Sequence, residues 1–465
     1  MPIETHAAYA THTTNISQAA DTPLIAHTAC VTHGASQGRP SLPRAVPARL
    51  MTGLATRLVT SVAVACLALS LPAQAETETG TSSSLSLVSA QQVPSDAPAL
   101  KLPEGATLER LASLDSPRML HLSDAGELLI GSRAERVYRA QLTPDGNLSA
   151  VKTLVELPGY PHSLVVRGDR LYVATTAALL VADYSHGESL TRDDFRELIA
   201  LPGGGGHNSR TLSLGPEGGL YLALGIQGNC SNQYLAGSEQ GYSFSERRGG
   251  VLRLEESGDA PHWRPWASGL RNPVGLAWQP GMAGEPRLLA TNNGPDHWGY
   301  EQPRELVVAA REGSFHGMPW YQWVDGKWQA DDCIASDSPR ERDEIAPPLA
   351  EIPARSAPMG IAVVPPGHPL AADMDIVVAV HGSWGTAPSG NAAGDPASRR
   401  EPRLLGLKLA TPDTEARLVP VLTGLQDSSS GQRWIRPLDV LFGPEGSLYF
   451  TSDSGAAGLY RLTFD

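Results

Sequence analysis

The sequence is poor in basic side chains and in long apolar segments. Lysine and arginine number 36 against 49 aspartate and glutamate residues, and the net charge is −13. A protein that binds nucleic acid or an anionic membrane surface needs the opposite sign, so neither is expected as a partner. The apolar run from Leu58 to Leu71 is too short and too interrupted for a transmembrane helix. Stable membrane insertion is therefore not expected.

The first 75 residues differ in composition from the rest of the chain. Residues 1–50 are polar and show neither helical nor strand periodicity, so we interpret them as an unstructured extension, with translation starting at Met51. Arg57, the apolar run that follows it and the small-residue segment 73–75 are typical of a secretory signal peptide over 51–75. The sequence therefore predicts a periplasmic or secreted protein.

Cysteine is also scarce, with four residues in the chain. Cys30 and Cys66 lie within the first 75 residues, and cleavage before Cys66, as in a lipoprotein, is an alternative to cleavage after residue 75. Cys230 and Cys333 remain, and an even number in an exported protein is compatible with one disulfide, although two separate buried thiols are the alternative. No Cys-x-x-Cys-His motif is present, which excludes covalently attached haem.

Long helical periodicity is missing as well, while glycine (47) and proline (38) are abundant. After a Ser/Thr-rich stretch at 76–103, which predicts a flexible tail, one unit recurs: a short apolar strand, a glycine-containing turn and a second strand rich in Tyr, Val and Leu. Two of the turns read GPEG, and a third strand follows several copies. The six copies are 119–132, 163–174, 211–225, 274–292, 359–381 and 438–453.

This repeat predicts the fold. Six copies over the remaining chain have a period of about 60 residues, which is in the range of a propeller blade of four strands. We therefore predict an all-β protein, a six-bladed β-propeller with four-stranded antiparallel blades over residues 104–465. A pair of β-sandwiches is the alternative, but the regular spacing disfavours it.

Three loops beside these strands carry the side chains that are best suited to ligand binding and catalysis. They are 203–210 (GGGGHNSR), 271–276 (RNPVGL) and 292–296 (NNGPD). His207, Arg271 and Arg436 directly precede the first strand of the third, fourth and sixth units. Because equivalent positions of successive repeats lie at the same end of a propeller, we expect these side chains around one mouth of the central channel.

The residue types in these loops suggest an anionic ligand and proton transfer. A neutral imidazole at His207 suits general-base catalysis near pH 7, and Arg271 can pair with carboxylate or quinone oxygens. Asn272 offers a donor and an acceptor, and the turn at Gly294 and Pro295 presents carbonyl oxygens that suit Ca²⁺. The alternatives are a histidine that only hydrogen-bonds its own loop and an arginine in an inter-blade ion pair.

From Leu111 to the C-terminus the chain resembles a known family. The resemblance rests on the segments GHNSRTLSLGPEGGLYLALG, SGLRNPVGLAW, NNGPDHWG, GSFHGMPW, VVAVHGSW and IRPLDVLFGPEGSLYFTSD. These segments are similar to the glucose/sorbosone dehydrogenase family, the soluble sugar dehydrogenases that depend on pyrroloquinoline quinone (PQQ), and especially to its sorbosone-dehydrogenase-like branch. The resemblance implies a six-bladed propeller that binds PQQ and Ca²⁺ at the channel mouth.

The resemblance also implies residue roles. His207 falls on the catalytic base, and Arg271 and Asn272 on residues that hold the quinone. Arg436 matches an arginine that contacts a PQQ carboxylate, while Gly294 and Pro295 match the turn whose carbonyls bind Ca²⁺.

The chain departs from the branch after Trp384, where a Gly/Ala/Pro-rich insertion runs to Ser398. The basic residue that the family places near the quinone carboxylates is therefore assigned here to Arg403 or Arg400.

The sequence thus predicts a PQQ- and calcium-dependent dehydrogenase that oxidises an aldose or related aldehyde or alcohol to a lactone or acid. A separate electron acceptor is expected, because no haem motif is present. One alternative is a calcium-dependent lactonase-like propeller hydrolase, which would hold its metal with carboxylates that the repeats do not show at matching positions. The other is a non-catalytic, carbohydrate-binding propeller.

Overall fold

A computed structural model describes residues 85–89, 99–237, 242–281, 285–383, 400–411 and 416–464. Within these ranges the chain forms β-strands and four short 3₁₀ helices, without an α-helix. The strands assemble into six sheets that each contain an antiparallel set of four, and the third sheet carries a fifth, parallel strand at its edge. No helix in the described ranges is long and apolar enough to cross a membrane.

We number the sheets as blades 1 to 6 in chain order and give their strands from the channel outwards. Blade 1 contains β4 (Pro117–Leu122), β5 (Glu127–Ser132), β6 (Arg136–Gln141) and β7 (Lys152–Glu156). Blade 2 contains β8 (Ser163–Arg167), β9 (Arg170–Ala174), β10 (Ala178–Asp183) and β11 (Arg196–Ala200). Blade 3 contains β12 (Arg210–Leu214), β13 (Leu220–Leu224), β14 (Gly250–Glu255), β15 (His262–Ser268) and the parallel β19 (Ser314–Phe315).

The remaining blades are built in the same way. Blade 4 contains β16 (Pro273–Gln279), β17 (Arg287–Asn292), β18 (Glu305–Ala309) and β22 (Ala350–Ile352). Blade 5 contains β23 (Pro358–Val363), β24 (Ile376–Val380), β25 (Arg403–Lys408) and β26 (Arg417–Leu422). Blade 6 contains β27 (Ile435–Phe442), β28 (Leu448–Gly455), β29 (Gly458–Thr463) and β3 (Thr107–Ser113).

Two hairpins and the 3₁₀ helices lie outside this pattern. The hairpins are β1 (Leu87–Ser89) with β2 (Lys101–Pro103), and β20 (Tyr321–Val324) with β21 (Lys327–Ala330). The 3₁₀ helices are Arg192–Asp194, Phe244–Glu246, Arg342–Glu344 and Pro369–Ala372.

The six hairpins read from the sequence are the two inner strands of the six blades. In both GPEG turns the last glycine has a positive φ, +82° at Gly218 and +89° at Gly446, which a residue with a Cβ adopts only at a cost. Second strands such as β13 and β24 are buried along their whole length, because neighbouring blades cover both of their faces. Their unbroken apolar sequences, LYLAL and IVVAV, follow from this burial.

The blades close into a ring. Each innermost strand contacts the next one, in the order β4, β8, β12, β16, β23 and β27, and β27 contacts β4 again. Blade 6 takes its outermost strand, β3, from the N-terminal side of the domain, where Ser113 pairs with Gly458. This exchange joins the two ends of the propeller and leaves no open edge at the join. The predicted six-bladed propeller is therefore confirmed.

The segment 76–103, predicted as a flexible tail, contains an ordered hairpin. Val88 pairs with Leu102, and Lys101 forms a bridge to Thr423 next to blade 5. Leu100 and Leu102 are each 2 % exposed within the core between blades 5 and 6. The Ser/Thr-rich composition of the stretch concealed these apolar positions, whose burial holds the hairpin in place.

An insertion between β18 and β22 of blade 4 carries β19 and the β20–β21 hairpin. Cys333 in this insertion forms a disulfide with Cys230, which follows the second strand of blade 3, and their Cα atoms are 5.7 Å apart. The predicted cysteine pair is thus joined, and the bond links two neighbouring blades.

Candidate functional site

The innermost strands all begin at the same end of the channel. Ser163, the first residue of β8, donates its hydroxyl to the carbonyl of Arg210, the first residue of β12, over 2.6 Å. The Thr451 hydroxyl likewise bonds the carbonyl of Arg118 near the start of β4, over 2.8 Å. We call this end the mouth. The predicted residues that precede inner strands, follow second strands or, like Arg436, lie at the start of an inner strand are found here: His207, Arg271, Asn272, Gly294, Pro295 and Arg436.

His207 is held as a neutral imidazole by its loop. Its Nδ1 lies 2.6 Å from the carbonyl oxygen of Ile226, which can only accept, so Nδ1 carries the proton and Nε2 carries the lone pair. Within the described residues Nε2 makes no hydrogen bond. Burial, followed by the charges of Arg271, Arg248 and Arg210, lowers the pKa of His207 to about 3. Nε2 is therefore a proton acceptor at the mouth.

His207 and Asn272 flank the same glycine. A Cβ on Gly225 would lie 2.3 Å from Asn272 Oδ1 and 2.7 Å from His207 Cβ, so only glycine fits between them. Asn272 Oδ1 is buried and has no hydrogen-bond partner among the residues described. A buried carbonyl oxygen without a partner is uncommon in folded proteins and indicates a position that a ligand donor can complete.

Arg271 lies next to this pair, and its contacts with Asn229 and Asp296 are made by its Nη2 atom. Its Nη2 donates to Asn229 Oδ1 over 2.7 Å, and the same oxygen accepts the backbone N–H of Asp296 over 2.8 Å. Asp296 also forms a looser ion pair with Arg271, at 3.7 Å. The Nε atom of Arg271 is buried without an acceptor in the described part of the chain. Arg271 therefore brings a positive charge and an unsatisfied donor to the mouth.

Arg436 lies in a second cluster on the other side of the mouth. Its Nη2 lies 2.9 Å from His381 Nδ1, and its Nε donates to the His381 carbonyl over 3.1 Å. His381 Nε2 lies 2.8 Å from Asp453 Oδ1, and the other oxygen of Asp453 bonds Arg118. Burial lowers the pKa of His381 to about 4 despite the Asp453 charge. A neutral His381 therefore accepts from Arg436 and donates to Asp453.

The carboxylate of this second cluster stays ionised. Burial alone would raise the pKa of Asp453, but His381, Arg118 and Arg436 together hold it below its ordinary value. Arg118 also lies over the Tyr160 ring, 5.4 Å from its centroid. The second cluster thus fixes two guanidinium groups at the mouth around one aspartate.

The Pro295 carbonyl of the predicted Ca²⁺ turn does not fit as a calcium ligand. The Pro295 carbonyl oxygen accepts from Arg355 Nη1 over 2.5 Å, so a buried cation already takes this oxygen. The Gly294 N–H donates to Glu305 Oε2 over 2.5 Å. A divalent ion on the Pro295 carbonyl would lie against the guanidinium of Arg355, which electrostatic repulsion disfavours.

The predicted basic residue of blade 5 lies farther from the channel. Arg403 is the first residue of β25, opposite Val380, and thus belongs to the third strand of its blade. Arg400 donates to the Ala354 carbonyl over 3.2 Å and pairs with Glu301 over 2.8 Å. Neither is on the inner rim formed by the first strands. Residues 384–399, which include the insertion after Trp384, lie outside the described residues.

Sequence reasoning assigned no role to Arg118, His381, Asp453 or Arg355. A signal existed for Arg118, because it is the second residue of the first strand of blade 1, as Arg436 is in blade 6. Applying the repeat rule to every unit would have found it. Asp453 and Arg355 had no such signal, because each acts through partners from other blades.

The residues at the mouth fit a flat, polycarboxylate cofactor such as PQQ. Arg271 and Arg436 place positive charge on two sides of the mouth, where such a ligand would need it, although the protein as a whole is acidic. The unsatisfied Arg271 Nε and Asn272 Oδ1 supply a donor and an acceptor for its oxygen and nitrogen atoms. Because both atoms are buried, bulk water is disfavoured as their hydrogen-bond partner.

Comparisons with known proteins agree with this fold. No protein-family model and no curated protein matches the sequence. Among solved structures, the holo PQQ domain of pyranose dehydrogenase from Coprinopsis cinerea is 18% identical over 81% of this chain and 100% of its own, with a TM-score of 0.62. The calcium structure of a Trichoderma reesei carbohydrate-active enzyme of family AA12 is 17% identical over 80% and 99%, with a TM-score of 0.64.

A bacterial enzyme shows the same likeness. The apo form of the soluble aldose sugar dehydrogenase from Escherichia coli is 18% identical over 77% of this chain and 100% of its own, with a TM-score of 0.52. At such identities the likeness establishes the shared fold. The chain is thus a six-bladed propeller whose structural neighbours are sugar dehydrogenases, including a PQQ domain.

Proposed function

We propose that this protein is a PQQ-dependent dehydrogenase that oxidises an aldose, or a related aldehyde or alcohol, to a lactone or acid. One observation carries the proposal: within the described residues, a neutral histidine whose Nε2 makes no hydrogen bond lies beside an arginine and an asparagine with unsatisfied buried atoms. This combination provides a proton acceptor next to a binding site for an anion. The sugar dehydrogenase neighbours support the same conclusion at the level of the fold.

The cofactor would supply the redox chemistry, because bound PQQ accepts the hydride of an alcohol carbon. Arg271 and Asn272 would hold its quinone edge, and Arg436 a carboxylate. Arg436 is suited to this role because His381 and Asp453 fix its orientation before the ligand arrives.

His207 Nε2 would take the proton of the substrate hydroxyl. Its pKa of about 3 is low for a base, and the causes are burial and then the charge of Arg271. An anionic ligand against Arg271 would offset that charge and raise the pKa of His207 towards its ordinary value. Ligand binding would therefore strengthen the base at the moment when the reaction needs it.

Two further parts of the proposal rest on the sequence. The signal-peptide pattern favours export to the periplasm or beyond, and the Cys230–Cys333 disulfide is compatible with an oxidising compartment. The absence of a haem attachment motif favours transfer of electrons to a separate acceptor. Calcium at the predicted turn is not included, because Arg355 occupies the Pro295 carbonyl.

The test is a titration of purified protein with PQQ, followed by tryptophan fluorescence, and then reduction of an artificial dye with a panel of aldoses and aldehydes. We expect saturable quenching at one equivalent and aldose-dependent dye reduction. Arg271→Gln should weaken PQQ binding at least tenfold, because it removes the charge beside the unsatisfied Asn272 oxygen.

Arg264→Gln is the matched control. Arg264 lies on β15, the outer strand of blade 3, where it pairs with Glu255 at 3.0 Å, so this variant should bind PQQ like the wild type. Absence of PQQ binding by the wild type would leave a non-catalytic propeller. Hydrolysis of a lactone without dye reduction would instead indicate a hydrolase.

A further inference from the structure

Arg355 forms an unusually complete set of hydrogen bonds beside the candidate site. Its side chain is 1% exposed, and the residue has a φ of +66°, a strained conformation for a residue with a Cβ. It lies in the connection between blades 4 and 5, just before β23. A strained, buried arginine persists only where its contacts compensate for the cost.

Those contacts use all five N–H groups of the guanidinium. Nε and Nη2 both donate to the Gly299 carbonyl, over 2.9 and 2.6 Å, and Nη2 also donates to the Gln302 carbonyl over 2.6 Å. Nη1 donates to the Pro295 carbonyl over 2.5 Å and to Asp296 Oδ1 over 3.3 Å. Three carbonyls and a carboxylate from one loop thus surround a single cation.

The carboxylate of Glu305 links the backbone of Arg355 to the backbone of Gly294. It accepts the backbone N–H of Arg355 over 2.8 Å and that of Gly294 over 2.5 Å. The loop from Gly294 to Gln302 is therefore connected to Arg355 at both ends, through Glu305 at Gly294 and directly at Gln302.

The oxygen set around Arg355 is the kind that a hard divalent cation takes. Ca²⁺ prefers carbonyl and carboxylate oxygens from one short loop, with a net negative charge nearby. Here Asp296 supplies a carboxylate to the guanidinium, which carries the positive charge, while the Glu305 carboxylate accepts the backbone N–H groups of Arg355 and Gly294. We infer that Arg355 replaces a divalent cation at this turn, so that the loop is organised, and the cofactor held, without Ca²⁺.

This inference has two parts that can be tested separately. The first concerns the loop alone and does not depend on any cofactor. The second, that PQQ binding does not require Ca²⁺, rests on the proposed function. Because the two parts have different readouts, failure of the proposed function leaves the first part testable.

The first experiment measures the melting temperature of cofactor-free wild-type protein after treatment with EDTA and after return of 1 mM CaCl₂. We expect the two melting temperatures to agree within about 1 °C. A clear fall in EDTA that Ca²⁺ restores, and Mg²⁺ does not, would overturn the inference, because the loop would then depend on a metal. This arm needs no variant and cannot fail through misfolding.

The second experiment repeats the PQQ titration in EDTA and in CaCl₂. We expect dissociation constants within twofold of each other, whereas a loss of more than tenfold in EDTA, restored by Ca²⁺, would overturn the second part. Absence of PQQ binding under both conditions would count against the proposed function instead, and the first experiment would still decide the role of Arg355.

Variants sharpen the result. Arg355→Ala leaves the oxygens of the loop without their cation, and we expect a lower melting temperature that Ca²⁺ partly restores; no response to Ca²⁺ would contradict a cation-like role. Arg355→Lys keeps the positive charge with three N–H donors, so its melting temperature should fall less than that of Arg355→Ala. Arg400→Ala is the control, because Arg400 pairs with the exposed Glu301 on the same loop and its loss should create no response to Ca²⁺.

Discussion

The two sides of the mouth use the same pair of residue types in opposite ways. On the side of blades 3 and 4, the imidazole of His207 bonds only the Ile226 carbonyl among the described residues and stands beside Arg271 without a hydrogen bond to it. On the side of blades 5 and 6, His381 has both nitrogens occupied, by Arg436 and Asp453. Both histidines are neutral because both are buried.

The difference teaches that a neutral histidine near an arginine is not by itself a catalytic signal. What distinguishes His207 is the unused lone pair of Nε2, whereas the lone pair of His381 accepts from Arg436. A histidine that orients an arginine cannot also accept a substrate proton without breaking that contact. We therefore propose proton transfer on the first side and ligand positioning on the second.

The largest expected effect separates the two histidines by their kinetics. His207→Gln can still donate to the Ile226 carbonyl but cannot take a proton at neutral pH, so we expect kcat to fall by about 10²- to 10⁴-fold. PQQ affinity, measured by fluorescence titration, should change by less than about threefold.

The matched variant His381→Gln cannot hold Arg436 and Asp453 in the same geometry. We expect it to lower PQQ affinity while kcat at saturating PQQ stays within about tenfold of the wild type. Equal losses of kcat in both variants, under saturating PQQ, would remove the distinction between the two sides.

The next effect concerns what holds each side in place. The disulfide next to Asn229 links residues on the side of blades 3 and 4, whereas the Arg118–Asp453 ion pair and the His381–Asp453 hydrogen bond hold the other side. Because the disulfide joins residues 103 positions apart, we expect Cys230→Ser/Cys333→Ser to lose about 2 to 4 kcal/mol of unfolding free energy in urea. The wild type with dithiothreitol should behave similarly, and an unchanged urea midpoint would show that the bond braces nothing.

The smallest expected effect is on the pH dependence of stability, which the two histidines should influence in the same direction. The folded-state pKa values of His207 and His381 are about 3 and about 4, below the ordinary 6.5. As pH falls below 6.5, the unfolded chain binds a proton at each position while the folded protein does not, so stability falls with pH down to each folded pKa.

Each glutamine variant should therefore reduce the dependence of unfolding free energy on pH between 6 and 5 by up to about 1.4 kcal/mol per unit. Urea midpoints at pH 7, 6 and 5 measure this dependence. A slope equal to that of the wild type in either variant would mean that the corresponding histidine is already protonated in the folded protein.

Much of the fold could be predicted, because each hairpin is a local feature. The alternation of apolar residues and the GPEG turns located the two inner strands of every blade, and the spacing of the repeats indicated six blades. Closure of blade 6 by β3 could not be predicted in this way, since residues 107–113 pair with residues 458–463, far away in the sequence. The buried hairpin around Leu102 was missed because its partner near Thr423 is equally remote.

The candidate site divides in the same manner. The sequence placed His207, Arg271 and Arg436 near the first strands of the third, fourth and sixth units, which was enough to predict a shared mouth. It could not show that Asp453 reaches His381, or that Asn229 links Arg271 to Asp296, because these contacts join different blades.

By itself, the sequence determined the strands, the tight turns and the types of side chain at the mouth, since each depends on a few neighbouring residues. The tertiary structure decided which polar atoms at the mouth remain available to bind a ligand. Closing the ring brought Arg355 onto the Pro295 carbonyl and Arg436 onto His381, while leaving His207 Nε2 unbonded among the described residues. Hydrogen-bond partners across blades depend on positions fixed only when all six blades pack together, and no local pattern encodes them.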